Sequence, residues 1–160
     1  MNASISNSSR QRPMSSAGFT LIELMITIAV LAIIASIAAP NISSQLANQR
    51  VKSTTTTIES ALKEAKAESI IRRQSLTVSY DEDSNPKVIK IENSSSVIAS
   101  YNYDAKTNIK STPSEITFEP SKRVDAAVTY TICDEKSVAS PRQLVVDKIA
   151  NISSQAGGTC

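Results

Sequence analysis

Histidine and tryptophan are absent from this chain of 160 residues, and only three glycines occur in it. Without histidine, the sequence lacks the commonest general base and the commonest metal ligand. The glycines stand at positions 18, 157 and 158, which excludes the usual glycine-rich phosphate loop. Two cysteines cannot supply a four-ligand zinc site by themselves. We therefore predict no catalytic residues, no metal and no cofactor.

The net charge of +2 comes from the first 18 residues, which contain Arg10 and Arg12 and no acid. Beyond them, 17 − 2 = 15 basic residues face 15 acidic residues. A balanced chain exerts no overall attraction on nucleic acid or anionic lipid, so only a local patch could bind either of them.

One apolar run extends from Phe19 to Ala39, and Glu23 is its only charged residue. A helix of this length spans about 30 Å, the thickness of a hydrocarbon core. A charge inside that core costs about 2.5 to 3.5 kcal/mol, so it normally has a partner. Cleavage after Gly18 would create an α-amino group at Phe19, one helical turn from Glu23. Glu23 could pair with that amine or with the amine of a staggered neighbouring helix. The alternative is a plain membrane anchor with an isolated acid.

The segment "GFTLIEL", residues 18 to 24, resembles the processing site of type IV pilins and pseudopilins. The resemblance implies that a prepilin peptidase cuts between Gly18 and Phe19 and methylates the new N-terminal Phe19. It also implies that Glu23 is the acid used in filament assembly. Pro40 falls where pilins often place a helix-bending proline, and proline removes one backbone donor from a helix.

Beyond Pro40, apolar residues recur at helical spacing and predict one buried stripe on a long helix. The predicted stripe consists of Ile42, Leu46, Ile58, Leu62 and Ala65. The run "STTTT", residues 53 to 57, is a poor helix former and is expected to be a weak point. The helix should end near Arg73 or Gln74.

The pattern then changes to alternation with a period of two, which predicts strands. Six short runs rich in β-branched or aromatic residues follow, separated by turn-like segments such as "DAKTN", residues 104 to 108. The predicted strands are residues 75–80, 87–92, 96–103, 115–119, 127–133 and 142–147. With aromatics at only 4%, their core must rely on Ile, Val, Leu and Ala. The predicted fold class is α+β, a long N-terminal helix packed on a mostly antiparallel β-sheet domain.

The patterns and the resemblance to type IV pilins together predict four segments. The resemblance implies that residues 1–18 are a cleaved leader and that residues 19–39 are a transmembrane helix that becomes the filament core. Residues 40–74 are the predicted amphipathic continuation of that helix, and residues 75–160 are expected to form an extracytoplasmic β domain with a C-terminal disulfide loop.

The segment of residues 60 to 80 resembles the helix end and first strand of the H-type pseudopilins and of the minor pilins FimT and FimU. The residues that carry this resemblance are Leu62, Lys66, Glu68, Ile70, Arg72 and Arg73. The two resemblances together cover about the first half of the chain.

The two cysteines are Cys133, at the end of a predicted strand, and Cys160, the last residue. A domain that follows a retained N-terminal span lies outside the cytoplasmic membrane, where disulfides persist. We predict a Cys133–Cys160 disulfide, and the alternative is two free thiols. Many pilins have a disulfide-bounded C-terminal region, which agrees with this pairing.

Two further groups of charged residues are candidate binding sites, one for calcium and one for DNA. Asp81, Glu82 and Asp83 form an acidic turn, for which a solvated turn is favoured over a calcium site. Some FimT-like minor pilins bind DNA through a C-terminal Gly-Arg-x-Arg stretch, which this chain does not have. The candidate DNA contacts are Lys122, Arg123, Arg142 and Lys148, and scattered solubilising charges are the favoured explanation for them.

The sequence thus predicts a FimU-like minor pilin that initiates or caps pilus assembly and so supports twitching motility and DNA uptake. Its expected partners are the prepilin peptidase, other minor and major pilins and the inner-membrane assembly platform; nucleic acid is not favoured. It should reside in the inner membrane before it enters a pilus or pseudopilus. The alternatives are an H-type pseudopilin of a type II secretion system, a FimT-like DNA-binding uptake subunit and a major pilin.

Overall fold

The computed structural model describes residues 18–136 and 139–160, without the side chains of residues 38–41. One helix, α1, spans Leu21–Arg72. Eight strands follow: β1 Leu76–Asp81, β2 Val88–Glu92, β3 Val97–Asn102, β4 Thr107–Lys110, β5 Ile116–Phe118, β6 Val128–Asp134, β7 Arg142–Val146 and β8 Ile152–Ala156. The predicted α+β class is confirmed.

The chain divides into two compact units, residues 1–38 and 39–160. In the first unit, the described helical residues from Leu21 to Ile37 expose apolar side chains. Among the described residues, no single helix is long and apolar enough to cross a membrane. The segments Leu21–Ile37 and Ile42–Arg72, taken together as one broken span, could do so by length and composition. The kink predicted at Pro40 falls on a side chain outside the described ones and stays a prediction.

The second unit contains two four-stranded sheets whose strand pairs are all antiparallel. The first sheet has the order β3-β2-β1-β5, and the second has the order β4-β6-β7-β8. Two of these strands were not predicted. β4 begins inside residues 104–108, which were predicted to be a turn, and its alternation is short because it has only four residues. β8 lies in the C-terminal segment, and its Ser and Gln side chains carry no apolar signal.

The helix of the second unit packs its buried face into one core with residues of both sheets. Its buried residues are Ala47, Val51, Thr54, Thr55, Ile58, Ala61, Leu62, Ala65 and Ser69. The predicted stripe was therefore right at Ile58, Leu62 and Ala65. It was wrong at Ile42 and Leu46, which are 61% and 50% exposed.

The threonine run is part of the continuous helix and contributes to the core. Thr54 and Thr55 are buried, and the Thr55 hydroxyl donates to the Val51 carbonyl oxygen over 2.7 Å. The Thr54 hydroxyl lies 3.0 Å from the hydroxyl of Thr107 in β4. These bonds satisfy polar groups that would otherwise destabilise the core, which explains how a poor helix-forming sequence is accommodated.

Candidate assembly and processing site

The N-terminal end of α1 is exposed within the part of the chain that the structure describes. Gly18 precedes the helix, and a Cβ added there would meet nothing within 4 Å. Phe19 is 78% exposed, and Leu21 and Ile22 behind it are exposed as well. The predicted cleavage bond between Gly18 and Phe19 therefore lies before the helix, between two exposed residues. Residues 1–17 of the predicted leader lie outside the described residues.

Thr20 is the N-cap of this helix, a role that the sequence analysis missed. The backbone N–H of Glu23 donates to the Thr20 hydroxyl over 3.2 Å, which satisfies one of the free donors of the first turn. Thr20 and Glu23 have the Thr-x-x-Glu spacing of a capping box, and this spacing was visible in the sequence. Glu23 thus stands in the first turn, where the helix dipole favours a negative charge.

The helix behind Glu23 is apolar around its whole circumference. Its large apolar side chains between Leu24 and Ile37 are 49% to 67% exposed. The two hydroxyls in this stretch are satisfied inside the helix, because Thr27 donates to the Leu24 carbonyl and Ser36 to the Ile33 carbonyl, each over 2.8 Å. A helix with no polar face must be covered by lipid or by other helices.

The predicted disulfide is confirmed. Cys133 at the end of β6 is bonded to Cys160, with a Cα–Cα distance of 5.9 Å. The tail after β8 runs across the second sheet to reach it, passing over Thr131 of β6 and Gln143 of β7. The Lys110 ammonium group of β4 donates to the Cys160 carbonyl oxygen over 2.6 Å. The terminal residues are therefore fixed to three strands.

The four candidate DNA contacts are not brought together. Lys122, Arg123 and Lys148 lie on two adjacent loops, joined by a 3.4 Å hydrogen bond from the Val124 N–H to the Lys148 carbonyl. Arg142 begins β7, at the other end of the strand that leads to Lys148.

Acidic residues share these loops with the cations. Glu119, Asp125 and Asp147 accept hydrogen bonds there from local backbone or hydroxyl groups. The second phenylalanine of the chain, Phe118, is only 1% exposed and cannot stack on a base. On the described residues of this surface, acidic side chains stand among the cations and no exposed aromatic ring is available to stack on single-stranded DNA.

The acidic turn after β1 is used to hold the fold. Asp81 accepts the backbone N–H groups of Asp83 and Ser84, each over 3.1 Å, and Glu82 accepts the N–H of Ile109 in β4. Within the described ranges, no group of three or more His, Cys, Asp or Glu residues is placed to hold a metal ion.

Three tyrosines have raised pKa values, each with a structural cause. A hydrogen bond to the Glu64 carboxylate raises the pKa of Tyr101, with burial adding to it. Burial is the main cause for Tyr103 and Tyr130, whose pKa values rise far above the usual range. Their hydroxyls are buried and have no hydrogen-bond partner in the described part of the chain. These groups belong to the core and form no candidate active site.

Comparison with known proteins identifies one motif and one fold. Residues 13–39 match the model of the prokaryotic N-terminal methylation motif. Two crystal structures of the type IV minor pilin FimU from Pseudomonas aeruginosa strain PAO1 share the fold. The first has a TM-score of 0.57 at 16% identity and covers 68% of this chain and 98% of that chain. The second has a TM-score of 0.53 at 16% identity and covers 78% and 98%. No curated protein sequence matches this chain.

Proposed function

We propose that this chain, which carries the prokaryotic N-terminal methylation motif and has the fold of FimU, is a structural minor pilin of a type IV pilus. The supporting observation is the described first unit, an accessible Gly18–Phe19 bond followed by a helix that is apolar on every side. Such a helix needs a hydrocarbon environment before assembly and other helices after it.

Maturation begins with hydrolysis of the Gly18–Phe19 peptide bond by a prepilin peptidase. The products are a leader that ends in the Gly18 carboxylate and a helix that begins with the Phe19 amine, which the same enzyme then methylates. The apolar segment stays on the mature chain and holds it in the inner membrane. The β domain then lies outside the cytoplasmic membrane, which agrees with its disulfide.

Glu23 carries the assembly step. It lies four residues from Phe19, about 6 Å along a helix axis, within reach of an α-amino group. In an apolar environment an unpaired carboxylate is costly, so an incoming subunit is favoured when its Glu23 meets the amine of a neighbour. The pair makes staggered docking more favourable than any arrangement that leaves Glu23 alone. Other minor pilins, major pilins and the assembly platform are the expected partners.

We assign to this subunit the role of initiating or capping the filament, which supports twitching motility and DNA uptake. The same processing and fold would serve an H-type pseudopilin of a type II secretion system, a DNA-binding uptake subunit or a major pilin. A clean deletion in the native host separates the pilus, secretion and DNA-uptake functions when piliation with motility, DNA uptake and protein secretion are scored in parallel. The abundance of the chain in purified filaments separates a minor pilin from a major pilin. Loss of pili and motility with normal secretion supports the proposal, whereas loss of secretion alone refutes it.

Two variants test the site itself. Gly18→Glu should leave the chain unshortened, and normal maturation would contradict the cleavage site. Glu23→Gln should be processed but fail to enter filaments, because the neutral amide cannot pair with the amine. Thr20→Ala is the matched control, since it removes the helix cap and keeps the carboxylate. Equal assembly defects in Thr20→Ala and Glu23→Gln would show that Glu23 acts only on helix stability.

A further inference from the structure

A polar cleft lies on the second unit, where the helix faces the β7–β8 hairpin. The helix contributes Gln45, Gln49 and Lys52, and β7 contributes Arg142. Its volume is about 280 Å³, which is below the range of sites for drug-sized ligands and fits a smaller polar group.

Hydrogen bonds to backbone N–H groups fix the wall of this cleft. The Asn48 side-chain oxygen accepts the N–H of Ser140 over 3.0 Å, which ties the segment before β7 to the helix. The Pro141 carbonyl accepts the N–H of Gly157 over 3.0 Å, and Arg142 is paired with Ala156 across the two strands. Arg142 therefore starts from a fixed backbone position at the cleft.

Neither Lys52 nor Arg142 forms an ion pair with a described residue, a state that they share with most cations of this unit. Arg50, Lys63, Arg72 and Lys90 each lie within 4.0 Å of a carboxylate. None of the described residues that line the cleft is acidic, and its helical wall adds the amide donors of Gln45 and Gln49. Two unpaired cations beside amide donors suit a phosphate group.

The cleft is close in sequence to the apolar segment. Gln45 follows Ala39 by six residues, so it lies at most about 9 Å further along a helix. Lys52 is at most about 20 Å further, and helical side chains lean back toward the N-terminus. Ile42 and Leu46, next to the cleft residues in sequence, expose apolar side chains. Exposed apolar residues beside cations are typical of the membrane interface.

We propose that this cleft binds the phosphate group of an anionic phospholipid in the membrane that holds the unassembled subunit. The inference rests on the membrane insertion assumed in the proposed function. The lipid phosphate accepts from Lys52 and Arg142, while Ile42 and Leu46 contact the acyl boundary. Aromatic residues do not line the cleft, which disfavours a nucleic acid as its occupant.

The test measures lipid retention by the full-length chain in detergent micelles, using native mass spectrometry with phosphatidylglycerol or phosphatidylcholine added. The test variant is Lys52→Gln/Arg142→Gln. The matched control, Lys122→Gln/Arg123→Gln, removes the same charge from an exposed loop. Each interfacial cation contributes about a fivefold change in binding, so the test variant should bind phosphatidylglycerol about 25-fold more weakly. The control should stay within about twofold of the unmodified chain.

Several results would overturn the inference: equal losses in the two variants, no preference for phosphatidylglycerol, or release of the lipid by millimolar inorganic phosphate. Stronger binding of a DNA oligonucleotide, lost in the Lys52 and Arg142 variant, would assign the cleft to nucleic acid instead. Flotation of the same chain with phosphatidylcholine vesicles checks insertion separately. A chain that does not float contradicts the membrane step of the proposed function, whereas a chain that floats without retaining phosphatidylglycerol contradicts only the lipid site.

Discussion

Gly158 allows the C-terminal tail to pass close over the second sheet. Its φ is +110°, and a Cβ added there would lie 2.8 Å from Thr131 Cγ2 and 3.1 Å from Gln143 Cγ. Gly157 has a similar φ of +129°, but a Cβ added to it would meet nothing within 4 Å. The two neighbouring glycines therefore separate backbone strain from steric overlap.

The expected costs follow from this difference. Gly157→Ala should lower the free energy of unfolding by about 1–3 kcal/mol, because alanine rarely adopts such a φ. Gly158→Ala should incur the same strain and a further cost of about 1–3 kcal/mol from overpacking. The larger loss should therefore be that of Gly158→Ala.

Thr131→Ser provides the matching test of the contact. This substitution removes Cγ2 and retains the hydroxyl, which accepts from Gln143 Nε2 over 3.3 Å. Alone it should lower the free energy of unfolding by about 0.8 kcal/mol, the value of one buried methyl group. Combined with Gly158→Ala it should cost less than the sum of the two single substitutions, by more than about 0.5 kcal/mol.

The assay is urea unfolding of the full chain in detergent under oxidising conditions. Tyrosine absorbance or near-ultraviolet circular dichroism reports on the β domain, because all four tyrosines lie within it. Equal losses for the two glycine variants would refute the steric argument. So would additivity of Thr131→Ser with Gly158→Ala, because it would show that the tail does not pass over Thr131.

Three further predictions concern the core and the disulfide. Tyr130→Phe should leave the free energy of unfolding unchanged or raise it, because the buried hydroxyl has no described partner; a loss above about 1 kcal/mol in urea unfolding would contradict this. Burial raises the pKa of Tyr130, so the folded chain keeps a proton that the unfolded chain loses above pH 10. The free energy of unfolding should therefore fall as the pH rises above 10, and it should fall less steeply in Tyr130→Phe. Leu62→Ala should lower the free energy of unfolding by about 2–5 kcal/mol in urea unfolding, because Leu62 is buried. Ile71→Ala, at a side chain that is 73% exposed, should lower it by less than about 0.5 kcal/mol. Equal losses would place Leu62 outside the core. Cys160→Ser should lower the free energy of unfolding by about 3–4 kcal/mol, since the Cys133–Cys160 bond closes a loop of sequence separation 27, and an unchanged urea midpoint would contradict this.

The sequence predicted the parts of the fold that have a strong local signal. Six strands agree with their predicted positions within about two residues, because each is a short run rich in β-branched or aromatic residues and bounded by turn-like segments. β8 could not be found in this way, because it is an edge strand whose residues after Ile152 are polar and exposed. β8 is recognised as a strand only by its antiparallel pairing with β7, and this pairing exists only in the folded chain.

The helix stripe shows a second limit of sequence patterns. Ile42 and Leu46 follow the helical period yet remain exposed, because burial depends on where the β domain lies against the helix. The structure places the boundary of the packed face at Ala47, where the loop containing Ser140 contacts the helix through Asn48. A period indicates which residues share a face, but it does not indicate where that face stops being covered.

The candidate assembly site could be proposed from the sequence for the opposite reason, since all its parts are close together in sequence. Gly18, Phe19 and Glu23 need no tertiary contact to be brought together, so their spacing alone placed them on one helix end. Thr20 is also close in sequence to Glu23, and the Thr-x-x-Glu spacing identifies it as the helix N-cap, although this role was not predicted. Lys52 and Arg142 are 90 positions apart and line the same cleft only because the β7–β8 hairpin faces the helix. A cleft formed by residues that are distant in sequence can be inferred from the folded chain and not from a linear motif. For this reason, the sequence alone indicated Arg142 only as one of several scattered charges.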